Sequence, residues 1–439
     1  MVAPRPIGAG TSAHLRGPRV VAPDGTNPYS GAPDRGQTRP RNRPLTAQKP
    51  SILTPTADKK TSAPAGLQGV TAGDSSLSLV DGVLGRLYYR GIAIEPLAEQ
   101  STFEECVHLL WYDALPNAAQ LAELKAGLAA DQQLPQELLT ILKPLAGRLS
   151  LMDMVRTGVS VLAAFDDEVA ATRDEVEGRM EIELRIARRI QAKMGPLVAA
   201  CWRLTQGQEV LEPLAGQSIA FNFLYLCSGN EPGEYEERIF DAALTLHADH
   251  GFNASTFAAR VTAATESDMY AAVTSAVGTL AGRLHGGANM RVMRMLEAIG
   301  DLEGASAYVD AILDKPKGRV MGFGHRVYKV EDPRATVLRR MSEELTKRTG
   351  NARWFELSRA VEDRVLERKG LVPNVDFYSA SVYASLGLDP EIFTPIFAVS
   401  RASGWLGHVL EQHGDNRLIR PRANYVGHHG REFTPLDQR

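Results

Sequence analysis

The sequence predicts a mainly α-helical protein with one small β-hairpin near the start of its folded part. Three observations carry that expectation. From Ser101 to Gln412, apolar residues recur at helical spacing in segment after segment, most of them bounded by capping residues or glycine. Strand-like runs are confined to Leu77–Gly82 (LSLVDG) and Gly85–Gly91 (GRLYYRG). No repeat of fixed period is visible, which argues against a solenoid. A chain of 439 residues can bury a large core and divide into two or three domains.

Taken in order, residues 1–65 are rich in Pro, Gly, Ser, Thr and Arg and show no apolar periodicity. Such a segment cannot bury enough surface to offset its ordering entropy, so disorder is expected there. From Arg5 to Lys60 it carries ten basic residues against Asp24, Asp34 and Asp58, about +7. It lacks the apolar stretch of a secretory signal, and its prolines oppose an amphipathic targeting helix. We expect a functionless extension rather than a nucleic-acid tether. The folded part starts near Gly66. After the hairpin, Ser101 to Glu104 (STFE) reads as a capping box opening a helix with Cys106, Leu109 and Leu110 on its apolar face. Pro116 starts a new segment, and Met152–Phe165 and Glu181–Trp202 are long and amphipathic.

Composition narrows the function. The net charge is -3, with 49 basic and 52 acidic residues interspersed, so nothing favours nucleic acid or a membrane surface in general. Cys106, Cys201 and Cys227 are too few and too scattered for a disulfide framework or a cysteine zinc site. Buried free thiols and a cytoplasmic location are expected. No apolar run approaches the roughly 18 residues of a membrane span.

Chemistry gathers in four later stretches. In Leu244–Arg260 (LTLHADHGFNASTFAAR), His247 and His250 are three apart and are expected to share a helix face, with Gly251 and Asn253 ending that helix and Ser255 capping the next. A metal site there would need a third ligand, and the spacing of none fits. His247 reads as structural, His250 as a donor to a substrate anion. Ser267–Gly282 is a capped helix that delivers the chain to Arg283-Leu284-His285-Gly286-Gly287. Gly318–Arg334 (GRVMGFGHRVYKVEDPR) frames His325 with Gly322 and Gly324 among four cations. Two readings stand for Asp376 in Pro373–Ser379. It is either a carboxylate in an apolar setting, suited to general-base work, or the N-cap of helix Phe377–Leu386. The helices Arg353–Arg368 and Glu391–Gln412 flank it, the second bearing Arg401, and Arg420 and Arg422 follow.

The segments LHADHGFNASTF, LHGGAN, MGFGHRVYKVEDPRA, PNVDFYS and SRASGWLGHVLEQ occur in that order, and with them the chain from about Gly66 to Gly427 closely resembles the citrate synthase family. The resemblance implies a two-domain helical fold, with a large domain at 66–285 plus 383–430 and a small one at 286–382. It implies condensation of acetyl-CoA with oxaloacetate and hydrolysis of the citryl thioester, without metal or other cofactor. Asp376 matches the base that takes a methyl proton. His285 matches the donor to the thioester oxygen, and His325 the histidine that polarises the ketone. His250, Arg334, Arg401 and Arg420 match the residues that hold the two carboxylates, Arg420 reaching over from the second subunit of a homodimer. CoA is expected on the small domain, near Lys329, with Lys317 and Lys369 as weaker candidates.

Departures from the family pattern are Met290, where glutamate is usual, Arg283, where proline is frequent, and Gly251, also in a glutamate position. Rival readings are a 2-methylcitrate synthase using propionyl-CoA, a citryl-CoA lyase, and a non-catalytic metal-binding or scaffold protein built on His247, His250, His408 and His413.

Overall fold

The computed structural model describes residues 64–67, 69–172 and 177–439, so the tail expected over 1–65 lies almost wholly outside the described residues. The hairpin forms as expected, with β1 (Ser78–Asp81) antiparallel to β2 (Arg86–Tyr89). A third strand, β3 (Ile92–Ala93), extends it and was not anticipated, because two residues carry no alternation.

After it, the described residues form sixteen α-helices joined by turns and irregular segments. The first helices are α1 (Ile94–Gln100), α2 (Phe103–Tyr112), α3 (Ala118–Asp131), α4 (Gln136–Leu142) and α5 (Leu151–Leu162). Then come α6 (Arg179–Thr205), α7 (Ile219–Ser228), α8 (Glu234–His247), α9 (Ala254–Ala263) and α10 (Met269–Leu280). The last are α11 (Ala288–Ile299), α12 (Leu302–Leu313), α13 (Pro333–Thr349), α14 (Arg353–Lys369), α15 (Val375–Ser385) and α16 (Phe393–Gly414).

The caps differ in detail from those expected. The capping box of α2 uses Thr102 and Glu105. Ser101 is spent closing α1 through Leu97 O, and Glu104 is buried, accepting from the Ile219 amide. Asp268, rather than Ser267, caps α10. Asn253, rather than Ser255, caps α9, accepting from the Ser255 and Thr256 amides.

The core helix is α16. Nearly every residue from Phe393 to Leu410 is buried, as a helix apolar all round should be. It packs against α2, α6, α8, α9 and α10, while α15 packs against α11, α13 and α14. Cys106, Cys201 and Cys227 are buried free thiols, as expected.

Candidate active site

The site is assembled from segment ends. Helix α8 stops at His247, so His250 lies beyond it in an irregular turn and the expected shared helix face does not exist. Gly251 ends nothing. It sits at φ +56 inside the turn, a conformation that glycine adopts without strain and glutamate would not. His247 is fully buried, its Nδ1–H donating to Ala243 O at 2.6 Å and its ring edge-on to Phe397. The next residue but one, Asp249, is pinned from three sides. Ser78 Oγ of β1 donates to Oδ2 at 2.5 Å, Tyr89 Oη of β2 donates to the carbonyl at 2.9 Å, and His408 Nε2 of α16 lies 3.2 Å from Oδ1. His250 follows directly, with Nε2 3.2 Å from Tyr328 Oη and its ring 5.2 Å from that of His325.

His285 stands on the turn between α10 and α11. Gly286 there hydrogen-bonds Leu280 O so closely that a β-carbon would overlap that carbonyl, hence the glycine. The Ser255 amide points at His285 Nε2 from 3.2 Å, and Ser255 Oγ is 2.8 Å from it. An amide can only donate, so Nε2 carries the lone pair and the proton sits on Nδ1. Trp405 Nε1–H in turn holds Ser255 Oγ at 3.2 Å. Burial, aided by Arg401, lowers the ring's pKa to about 4, so it is a neutral donor at neutral pH.

His325 has the opposite tautomer. The amides of Val327 and Tyr328 both donate to Nδ1 at 3.1 Å, leaving the proton on Nε2. Burial first and Arg334 second lower its pKa to about 4. The loop that carries it is clamped to the start of α15, where Asn374 N–H donates to Gly322 O and Asn374 Nδ2 donates to Gly324 O. Gly322, at φ +81, would bring a β-carbon within 2.8 Å of Phe377 Cβ. Tyr328 and Asp332 are site residues that the sequence reading did not single out. Asp332 caps α13 and binds Arg334 through two hydrogen bonds, at 3.0 and 2.8 Å, both side chains buried. Its Oδ2 also accepts from the Val375 amide, tying this loop to the neighbour of Asp376.

The cap reading of Asp376 is corrected. Asn374 caps α15 and accepts from the Asp376 amide, which leaves the Asp376 carboxylate out of the cap. Burial raises its pKa to about 6, with Arg334 pulling the other way, so it is ionised near neutrality yet basic enough to take a proton. Arg401 is buried in α16, its Nε donating to His247 O at 2.6 Å, and burial lowers its pKa.

Lys329 is exposed and lines a cleft of about 270 Å³ with His325, Tyr328 and Asn374. Its amide donates to Gly82 O, so the hairpin turn rests on this loop. Lys317 and Lys369 are exposed, the latter at the end of α14 next to the lining residue Gly370. Arg420 is exposed on the segment after α16, and among the described residues no ion pair or hydrogen bond of its side chain is found.

Two neutral histidines with fixed donors, a basic carboxylate and two buried arginines form a set suited to enolising one carbonyl compound and joining it to a second, anionic one. The family model "Citrate synthase, C-terminal domain" matches residues 66–422. The chain belongs to the citrate synthase family. It is 49% identical over 376 residues to the citrate synthase of Haloferax volcanii, covering 85% of this chain and 98% of that protein. The 2-methylcitrate synthase of Shewanella oneidensis is 39% identical, over 87% of this chain and 100% of its own. The crystal structure of citrate synthase from Pyrobaculum aerophilum superposes with a TM-score of 0.79 at 38% identity, over 85% of this chain and 95% of that one. The chain is thus an acyltransferase of the citrate synthase type, which sets aside the non-catalytic scaffold.

Proposed function

We propose that the chain condenses acetyl-CoA with oxaloacetate and water to give citrate and CoA. The observation that carries this reading is the opposed tautomers of His285 and His325, one donating from Nδ1 and the other from Nε2, around a carboxylate of raised pKa. The Asp376 carboxylate takes a proton from the thioester methyl, and His285 Nδ1–H stabilises the oxygen that becomes enolate-like. An aimed donor of this kind contributes about 3–4 kcal/mol to lowering the barrier. His325 Nε2–H polarises the ketone, so the enolate carbon bonds to its carbon, and water then cleaves the citryl thioester.

His250, Arg334 and Arg401 hold the carboxylates of the oxo-acid, and Arg420 of a second copy completes the clamp in a homodimer. CoA lies against 286–382, its phosphates near Lys329, with Lys317 and Lys369 further out. The chain works without metal or other cofactor, and in the cytoplasm, where its buried thiols stay reduced. The division into 66–285 plus 383–430 and 286–382 puts His285 on one side and His325 and Asp376 on the other, so closing the cleft completes the site.

The second reading is propionyl-CoA, since one methylene in an apolar pocket is worth only about 1–3 kcal/mol. Identity of 49% to a citrate synthase against 39% to a 2-methylcitrate synthase favours acetyl-CoA. The deciding measurement is kcat/KM for each acyl-CoA at saturating oxaloacetate. Acetyl-CoA should lead, and a clear lead for propionyl-CoA overturns the assignment.

A further inference from the structure

One cation near His285 has no task in the scheme above. Arg291, on the first turn of α11, is half-buried. Its Nε lies 3.3 Å from Met321 Sδ and its Nη2 3.5 Å from Gly286 O, one residue beyond His285. No carboxylate lies within ion-pair distance of it among the described residues. Helix α11 meets α15 at Gly322, where Val292 Cγ2 and Phe377 Cβ close on the same glycine from the two helices. Arg291 and Asp376 are the chain neighbours of those two residues, and Met321, which Arg291 touches, precedes the Gly322 whose carbonyl accepts from the Asn374 amide, two residues before Asp376. The Arg291 charge accordingly pulls the Asp376 pKa down.

The charged or titratable groups facing Asp376 are Arg334 and Asp332 from the start of α13, Arg291 from α11, Arg401 from α16, and Tyr383 on its own helix. His285 and His325 are neutral and add no net charge. Arg334 is offset in part by its partner Asp332. Among the described residues Arg401 has no carboxylate within ion-pair distance, Asp249 acting on it only from further off, whereas the oxo-acid it is proposed to clamp brings two. Binding that dianion therefore removes positive potential from Asp376 just when the base must be ionised. Of the described cations acting on Asp376, Arg291 is the one left with neither an ion-pair partner nor a proposed substrate anion.

We propose that Arg291 is a positioning residue that holds the Asp376 carboxylate ionised in the complex with both substrates, acting on proton abstraction through Asp376 and binding neither substrate itself. The inference rests on the reading of Asp376 as base and of Arg401 as clamp. An opposite charge nearby lowers a carboxyl pKa, so losing it moves the acid limb of the base upward.

The test is the pH profile of hydrogen exchange between the acyl-CoA methyl group and deuterated solvent, with a non-condensing oxo-acid analogue bound. The wild-type enzyme is compared with Arg291→Met, Arg291→Gln and Arg291→Lys. Removing the charge should shift the acid limb up by about half a pH unit or more. Half a unit is about threefold less ionised base on the acid side. The rate on the alkaline plateau and the KM for acyl-CoA should stay as in the wild type, and Arg291→Lys should keep the native limb. An unmoved limb in Met and Gln variants overturns the proposal, whether the rate falls evenly at all pH or KM for acyl-CoA rises because Arg291 holds an anion of CoA. The control is Asp376→Asn. If it exchanges at the native rate, the base assignment fails and the proposal with it. If it is inert while the limb stays put, only the role of Arg291 fails.

Discussion

Asp376, His285 and His325 illustrate how little of a residue's chemistry lies in its identity. A carboxyl at the second position of a helix is commonly a cap or a surface charge, and here Asn374 performs the capping, so Asp376 is left over for other work. His285 and His325 are the same side chain with opposite proton positions, set by one amide in the first case and two in the second. If Asp376 is the base, Asp376→Asn should abolish solvent exchange of the acyl methyl hydrogens in the presence of a non-condensing oxo-acid analogue. Wild-type activity should fall as pH drops through about 6, because the carboxyl must be ionised to accept the proton. His325→Ala should lose condensation yet retain part of that exchange, since it acts on the ketone and not on the methyl group. Exchange at the native rate in Asp376→Asn would place the base elsewhere. The proposed roles come from motif resemblance in the sequence, whereas the tautomers do not, because they depend on which amides surround each ring.

At the level of elements, the site is held by contacts that no local pattern announces. The turn after α8 is stapled by Ser78, Tyr89 and His408, residues from two strands and the central helix. Arg260 Nη1–H points at His408 Nδ1 from 3.2 Å, which leaves the His408 proton on Nε2, facing Asp249. Gly404 lets α16 approach this turn, and an added β-carbon would overlap Ala248 O and come within 2.7 Å of Asp249 Oδ1. Gly404→Ala is therefore expected to destabilise the fold by about 1–3 kcal/mol in urea titration. It should also raise KM for oxaloacetate more than KM for acetyl-CoA, because the strain falls next to His250 and Arg401. A native midpoint with native KM values would show that the turn has room to move. Sequence reading put His247 and His250 on one helix because a spacing of three suits a helix. It failed because buried side chains from elsewhere pin the backbone at Asp249, two residues past the helix end.

For the whole molecule, the open question is whether a single chain can complete the site. Arg334 and Arg401 are buried beside the histidines, while Arg420 is exposed on the segment that follows α16. If Arg420 serves a neighbouring subunit, Arg420→Ala and Asp376→Ala, each inactive alone, should regain partial activity when mixed and allowed to exchange subunits. Mixed dimers contain one site with both native residues, and the recovered rate should rise with the fraction of mixed dimers. Absence of recovery in verified mixed dimers would assign Arg420 to its own chain.

By itself, the sequence determined that the protein is helical with one hairpin, where most helices run, that its cysteines are buried thiols, and to which family it belongs. Periodicity, glycine placement and ordered motifs are local properties, and they survive being read one segment at a time. The tertiary structure alone decided which side chain caps each helix, which nitrogen of His285 and His325 carries the proton, and that Asp332 pairs with Arg334. It also left Arg291, on a helix packed against the one that carries Asp376, without an ion-pair partner among the described residues. Those outcomes depend on burial and on the backbone geometry that packing fixes, whether the pair is close in sequence, as Asp332 and Arg334 are, or distant, as Ser255 and His285 are, and hydrogen bonds and charges are strong there because water is excluded.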